Sequence, residues 1–242
     1  GLYYDPGRRP SLLALRRLAR DLDDERKEEV LTEFGGWGPW IGGGGWLTVA
    51  GQRMDWLYRD LRRVRHFIDA CSAGRPSLHR QGGHPHGFHT HIYLAEVYYC
   101  RPLYDPQGVL AGLQKGLVAY PPKLKDALIK TYLWQANFDL IISRKSAERG
   151  ESYYVAGCFF ECVSSLVQVL FALNERYFIN QKGSVAETRT FDFCPPGFEE
   201  TVTEVLGRAG RTPQELGGNL ERLDALVRAV EKLAGAKEWS FS

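Results

Sequence analysis

The run from Trp46 to Leu61 constrains the fold of this chain more than any other stretch. Trp46, Leu47 and Val49 form a first apolar segment, and Ala50-Gly51 supplies the turn, since glycine reaches the positive φ of a tight hairpin at no steric cost. Met54, Trp56 and Tyr58 then alternate with Arg53, Asp55 and Leu57, the period of a strand. The segment therefore predicts a β-hairpin that leads into a helix. Asp55 stands out, because a carboxylate within an aromatic strand is disfavoured and is costly to bury alone. It is either an edge-strand acid paired to Arg53 or Arg59, or a functional group that meets a cation or metal.

At 242 residues the chain can bury a substantial core in one large or two modest domains. Its 31 basic and 29 acidic residues leave a net charge of +2, which makes no general case for a nucleic-acid or anionic-membrane surface. Phosphate recognition would have to be local. The five cysteines (Cys71, Cys100, Cys158, Cys162, Cys194) are odd in number and contain no CxxC, which suits reduced thiols and a cytoplasmic location. The most apolar segment, Tyr153 to Leu173, has the length of a membrane span, but Glu161 and Gln168 lie inside it. It reads as a buried bundle helix.

In chain order, Leu2-Tyr3-Tyr4 ends a strand, and Ser11 caps a helix to about Asp24. Leu12, Leu15, Leu18 and Leu22 form the apolar stripe of that helix, with Arg16, Arg17 and Arg20 outward. Val30 to Phe34 is expected to be a short strand. Residues 35–45 hold seven glycines and a proline, which exclude regular helix there. They form either a linker or a loop that lets a ligand approach the backbone, with Trp37 or Trp40 as a stacking face. Asp60 caps a helix to about Ala73 that buries Leu61, Val64, Phe67 and Ile68. The polar stretch Gly74 to Gly83 marks a domain boundary. The histidines from His79 to His91 have poor spacing for zinc, and no HExxH is present. Helices are then expected at 90–101, 105–118, 122–149, 152–178 and 198–206. A last one opens with the capping box Thr212-Pro213-Gln214-Glu215 and buries Leu216, Leu220, Leu223, Leu226, Val230 and Leu233.

Residues 32–40 (Thr-Glu-Phe-Gly-Gly-Trp-Gly-Pro-Trp), 43–49 and 51–61, with Gly83-His84-Pro85-His86-Gly87-Phe88, resemble the bacterial nucleotidyltransferase-domain proteins of the polymerase-beta superfamily, relatives of the kanamycin-type enzymes. The resemblance implies an α+β chain: a small mixed-sheet nucleotidyltransferase-like domain at 1–83, then an α-helical bundle domain at 84–242. In that superfamily a Gly-Ser loop cradles the triphosphate. An Asp-x-Asp pair and a third Asp on a later strand hold two divalent metals. Asp55 matches the third acid. In the family the stretch like Gly1 to Pro6 directly follows the Asp-x-Asp strand, and this chain begins there. The expectation is an incomplete amino terminus, or a remnant that has lost half of its site.

Three features of the helical half carry candidate chemistry. Glu161 is the only carboxylate in its apolar run, and so is either a buried structural pair or a substrate-facing acid. Asn174, Tyr177, Lys182 and Gly183 read locally as a helix end, with Gly183 past the carboxyl terminus and Lys182 facing the helix dipole. They also resemble a family pattern, which implies that Lys182 meets a nucleotide phosphate and that Asn174 or Tyr177 faces substrate. Gln135 occupies roughly the helix that carries the family's base glutamate, and a glutamine cannot act as a base. The resemblance thus implies a Mg²⁺-dependent transferase that moves a nucleoside monophosphate from an NTP to a hydroxyl acceptor, a small molecule such as an antibiotic or a macromolecule. The alternatives are an inactive binding or regulatory module and a histidine-based metal hydrolase. Oligomeric state is left open, a homodimer included.

Overall fold

The computed structural model describes residues 1–235 and is an α+β chain in two compact units. The first comprises Gly1–Asp69 and Leu78–Thr90; the second comprises Ala70–Ser77 and the chain from His91 onward. The chain thus crosses between units three times, where the sequence suggests one boundary at residue 83.

In the first unit, β1 (Leu2–Tyr4) leads through a short 3₁₀ turn to α1 (Leu12–Leu22), whose N-cap Ser11 accepts from Ala14 N–H as expected. After the single helical turn α2 (Gly38–Ile41) come β2 (Gly44–Val49) and β3 (Gln52–Asp60), then α3 (Leu61–Ser72), which runs on into the second unit. The predicted hairpin is present, with Val49 opposite Gln52 and Ala50 and Gly51 both at positive φ. Asp24 fixes it by accepting from both turn N–H groups, Ala50 at 2.9 Å and Gly51 at 2.8 Å. β1 pairs in parallel with β3, Leu2 opposite Tyr58, so the sheet order is β1-β3-β2. Asp60 caps α3 through Arg62 and Arg63 N–H.

Four local expectations fail here. Val30 to Phe34 is not a strand; Leu31 makes only an isolated bridge to Gly45. On α1 the buried residue is Ala19, while Leu18 and Leu22 are exposed. The small Ala19 side chain lets the helix close on Leu31 and Leu47, and Arg16 turns inward to donate to Leu31 O. The glycine-rich stretch does contain a helical turn, α2, and its glycines serve the protein's own backbone. A Cβ at Gly45 would lie 2.1 Å from Val30 O, and one at Gly43 2.8 Å from Glu33 O. Residues expected to be loop form a second hairpin, β4 (Leu78–Gln81) with β5 (His84–His89), turned at Gly82-Gly83.

The second unit is helical: α4 (Ile92–Tyr99), α5 (Val109–Lys115), α6 (Pro122–Glu148), α7 (Ser152–Leu173), α8 (Ser184–Glu187), α9 (Phe198–Gly207) and α10 (Pro213–Leu233). Asp105 opens α5 by accepting from Val109 and Ala111 N–H, although the helix is shorter than the sequence suggests. α6 and α7 pack along their length, and α10 lies against both. The capping box of α10 forms as read, and its stripe is buried except for Leu233. Among the described residues α7 is the one helix long and apolar enough to cross a membrane; its most apolar window is 72% buried inside the protein.

α7 ends at Leu173, not near Phe178. Asn174 is its C-cap, and Glu175 takes the left-handed position usually given to glycine, at φ 53°. Arg176 N–H donates to Phe171 O and Glu175 N–H to Ala172 O, a complete Schellman motif. Gly183 instead is the N-cap of α8, so Lys182 precedes a helix amino end and does not face a carboxyl end. A non-glycine residue at such a φ costs about 1–2 kcal/mol, against roughly 0–1 kcal/mol for the exposed Lys125–Glu175 pair. Glu175→Gly is therefore expected to raise stability by about 0.5–1 kcal/mol, read as a higher urea midpoint with an unchanged slope.

Candidate functional site

Among the described residues, Asp55 in the first unit and Asp139 and Glu161 in the second are candidate carboxylates that meet no protein cation. In the first unit Asp55 lies in the middle of β3 on an exposed surface, directly opposite Trp46. Residues paired this way share a sheet face and lie roughly 5 Å apart at Cβ. Trp46 is 69% exposed and stacks on Trp37, ring centroids 4.8 Å apart and 25° from parallel. Among the described residues the Asp55 carboxylate forms no ion pair or hydrogen bond. The pairing to Arg59 is excluded by geometry: Arg59 is buried, with Nη1 donating to Ile41 O and Tyr58 O.

The two tryptophans of the glycine-rich loop have different surroundings. Trp37 is half-buried beside Trp46. Trp40 has His79 stacked on it at 3.7 Å and the Arg63 guanidinium over its ring at 5.5 Å, so its ring is already covered by protein groups. The histidines are dispersed in role. His79 lies on Trp40, His84 meets Phe88 edge-on, and His91 Nε2 donates to Gln168 Oε1 at 2.9 Å. Burial holds His91 down at about 4, so it is neutral at physiological pH. Among the described residues no three His, Cys, Asp or Glu side chains are grouped to hold a metal.

In the second unit the predicted residues separate. Asn174 is structural, donating to Leu170 O and Phe193 O and accepting from Phe193 N–H. Tyr177 is buried and donates to Leu117 O at 3.0 Å; burial raises its hydroxyl pKa. Lys182 is exposed. Glu161 is half-buried on α7, has no cation or hydrogen-bond partner among the described residues, and is raised by burial.

Asp139 is the residue that sequence reasoning missed. It follows Gln135 by one turn of α6 and is 5% exposed. Its Oδ1 accepts from Gln135 Nε2 at 2.9 Å, while its buried Oδ2 has no partner. Burial pushes its pKa up to about 7; the Gln135 hydrogen bond pulls it down, and the Glu161 charge adds a further rise. The available signal was the i, i+4 spacing of Gln135 and Asp139 along an interior row, which puts both on one helix face.

Residues 89–182, less than half of the chain, match the sequence profile of a domain of unknown function (DUF4037). A comparison with curated proteins finds no match. The matched segment includes Asp139 and Glu161 and leaves out Asp55, Trp37 and Trp40.

A carboxyl group raised in the folded state stabilises the fold below its unfolded pKa, and that contribution is lost as pH rises through its folded value. For Asp139 the window runs from about 4 to about 7. Wild-type stability is expected to fall across it by roughly 2–4 kcal/mol. Asp139→Asn, which keeps an acceptor for Gln135, is expected to flatten this fall and to melt above the wild type at pH 8. Thermal melts from pH 4 to 8 check it.

Proposed function

We propose that this chain belongs to a nucleotidyltransferase of the polymerase-beta type, a protein that moves a nucleoside monophosphate from an NTP to a hydroxyl-bearing acceptor. The observation that carries the reading is the setting of Asp55: an exposed, unpaired carboxylate in the middle of β3, three residues before the part of that strand that pairs in parallel with β1. Leu2 lies opposite Tyr58, so strand residues ahead of Gly1 in a longer chain would run alongside Trp56 and Asp55. That is the arrangement in which acids on neighbouring strands converge. The Trp37–Trp46 stack beside Asp55 offers an apolar aromatic surface of the kind a nucleobase stacks on.

Asp55 alone does not fit a pair of magnesium ions. Magnesium takes six oxygen ligands in near-ideal octahedral geometry, and a two-metal site needs bridging carboxylates. Any such metal would take its other protein ligands from outside the described residues, and what Asp55 contributes here is one accessible carboxylate. The Trp37–Trp46 surface would equally serve a second reading, a nucleotidyltransferase-like module that binds or regulates without catalysis. The helical unit supplies acceptor binding in the first reading, with Glu161 as the acid of the original candidates that retains an unpaired carboxylate. The five free cysteines suit a cytoplasmic protein.

Asp55→Asn separates the readings. Because Asp55 is exposed and unpaired, the variant should keep its melting temperature, with stability within about 0.5 kcal/mol. In the complete protein, transfer from labelled NTPs should drop by at least on the order of 10²-fold. Unchanged transfer in the variant would overturn the catalytic role.

A further inference from the structure

The open face of the β2–β3 hairpin carries two charges, Arg53 and Asp55, that no described residue pairs with. Cross-strand partners in an antiparallel pair share a face, and so do residues two apart along one strand. The register of Trp46 with Asp55 and Thr48 with Arg53 therefore sets four side chains in two adjoining rows on one face. Leu47 lies on the other face, where Val49 and Trp56 join it against Ala19 and Leu31. Directly opposite side chains stand roughly 5 Å apart at Cβ, and the two rows are about 7 Å apart.

An exposed arginine is ordinary on its own, since water solvates it well. The neighbours of Arg53 are what distinguish it. Trp46 keeps 69% of its surface in water, and its ring is held by the stack on Trp37. Trp37 is tied down in turn, because Gln81 Nε2 donates to its carbonyl oxygen at 2.8 Å. The strand beneath is fixed as well: Thr48 N–H donates to Asp23 Oδ1, and the turn N–H groups donate to Asp24. A held aromatic ring, a hydroxyl and an unpaired guanidinium thus lie within about 8 Å of one another on one open surface.

That combination selects a ligand with a flat apolar end and an anionic end. A nucleobase stacks on tryptophan, and stacking accepts every base. A guanidinium matches phosphate oxygens with two parallel N–H bonds and keeps its charge at physiological pH. The Asp55 carboxylate stands beside both, so in the absence of a metal it opposes the phosphates. We infer that Arg53, assisted by the Thr48 hydroxyl, binds the phosphates of a mononucleotide whose base stacks on Trp46. This role rests on the transferase reading, in which the same face receives an NTP, and it concerns the orientation of the phosphates, not the transfer step.

Titration of the chain with ATP and with adenosine tests it, in EDTA and at low ionic strength, where charge is least screened. The readout is the Trp46 indole N–H signal in NMR, assigned with Trp46→Leu. We expect both ligands to move it saturably, and ATP to bind at least threefold more tightly than adenosine. Arg53→Gln should bring ATP to the affinity of adenosine and leave adenosine unchanged, a split that a general loss of structure would not produce. Arg53→Lys should restore part of the difference. Asp55→Asn should tighten ATP at least twofold, since it removes the opposing charge. Arg17→Gln, an exposed arginine on α1, should change nothing. Equal binding of ATP and adenosine by the wild type, a retained preference for ATP in Arg53→Gln, or an equal loss in Arg17→Gln would each overturn the phosphate role alone. A Trp46 signal that neither ligand moves would overturn the nucleotide assignment of the face with it. The catalytic role of Asp55 is read separately, because neither metal nor acceptor enters this titration.

Discussion

The helical unit depends on one constraint: from Cys162 to Leu173 every residue of α7 is buried, so this part must be covered all round. Fifteen of its residues, from Val155 to Leu173, are buried. A helix of that composition finds cover only within a bundle, and α6 and α10 provide much of it. The same enclosure raises the stakes for every polar group along it. Gln168 Oε1 meets Nε2 of the neutral His91, a pairing that carries no net charge. Asp139 and Glu161 receive no comparable answer from the protein. An interior that satisfies Gln168 and leaves two acids unmatched has spent stability at one place, as functional sites often do.

The first unit is organised on a smaller scale by backbone closeness. Its sheet has three short strands, and the hairpin of β2 and β3 is held by Asp24 at the turn and by glycines where Val30 and Glu33 press on β2. Asp23, buried and bonded to Thr48 and Lys27 N–H, ties the end of α1 to the same strand; those bonds lower its pKa. This leaves β3 well fixed while its middle remains open to solvent. Asp55 is thus displayed by a rigid element, which is what a ligand-binding carboxylate requires.

Much of this was legible from local chemistry. The hairpin turn, the caps at Ser11, Asp60 and Thr212, and the start of α6 at Pro122 each follow from a residue type whose preference is short-ranged. The failures share the opposite cause. Leu18 and Leu22 looked like core because they are leucines at helical spacing, yet the packing partner of α1 selected the small Ala19. The end of α7 was read too late because Gly183 looked like its terminator. The actual stop is Glu175 in a conformation its own side chain does not favour, set by the bonds of Asn174 to the Phe193 backbone. Asp139 was passed over because its character comes from a facing helix, not from its neighbours in sequence. Glu161 was noticed because it interrupts an apolar run; Asp139 lies in a mixed run where an acid draws no attention.

The central claim is that the α6–α7 interface buries the Asp139 carboxyl without a cation and so keeps its proton on toward neutrality. The most direct test is a carboxyl-carbon NMR titration of Asp139, assigned by comparison with Asp139→Asn. The account predicts a midpoint near 7. A midpoint near 4 would contradict it.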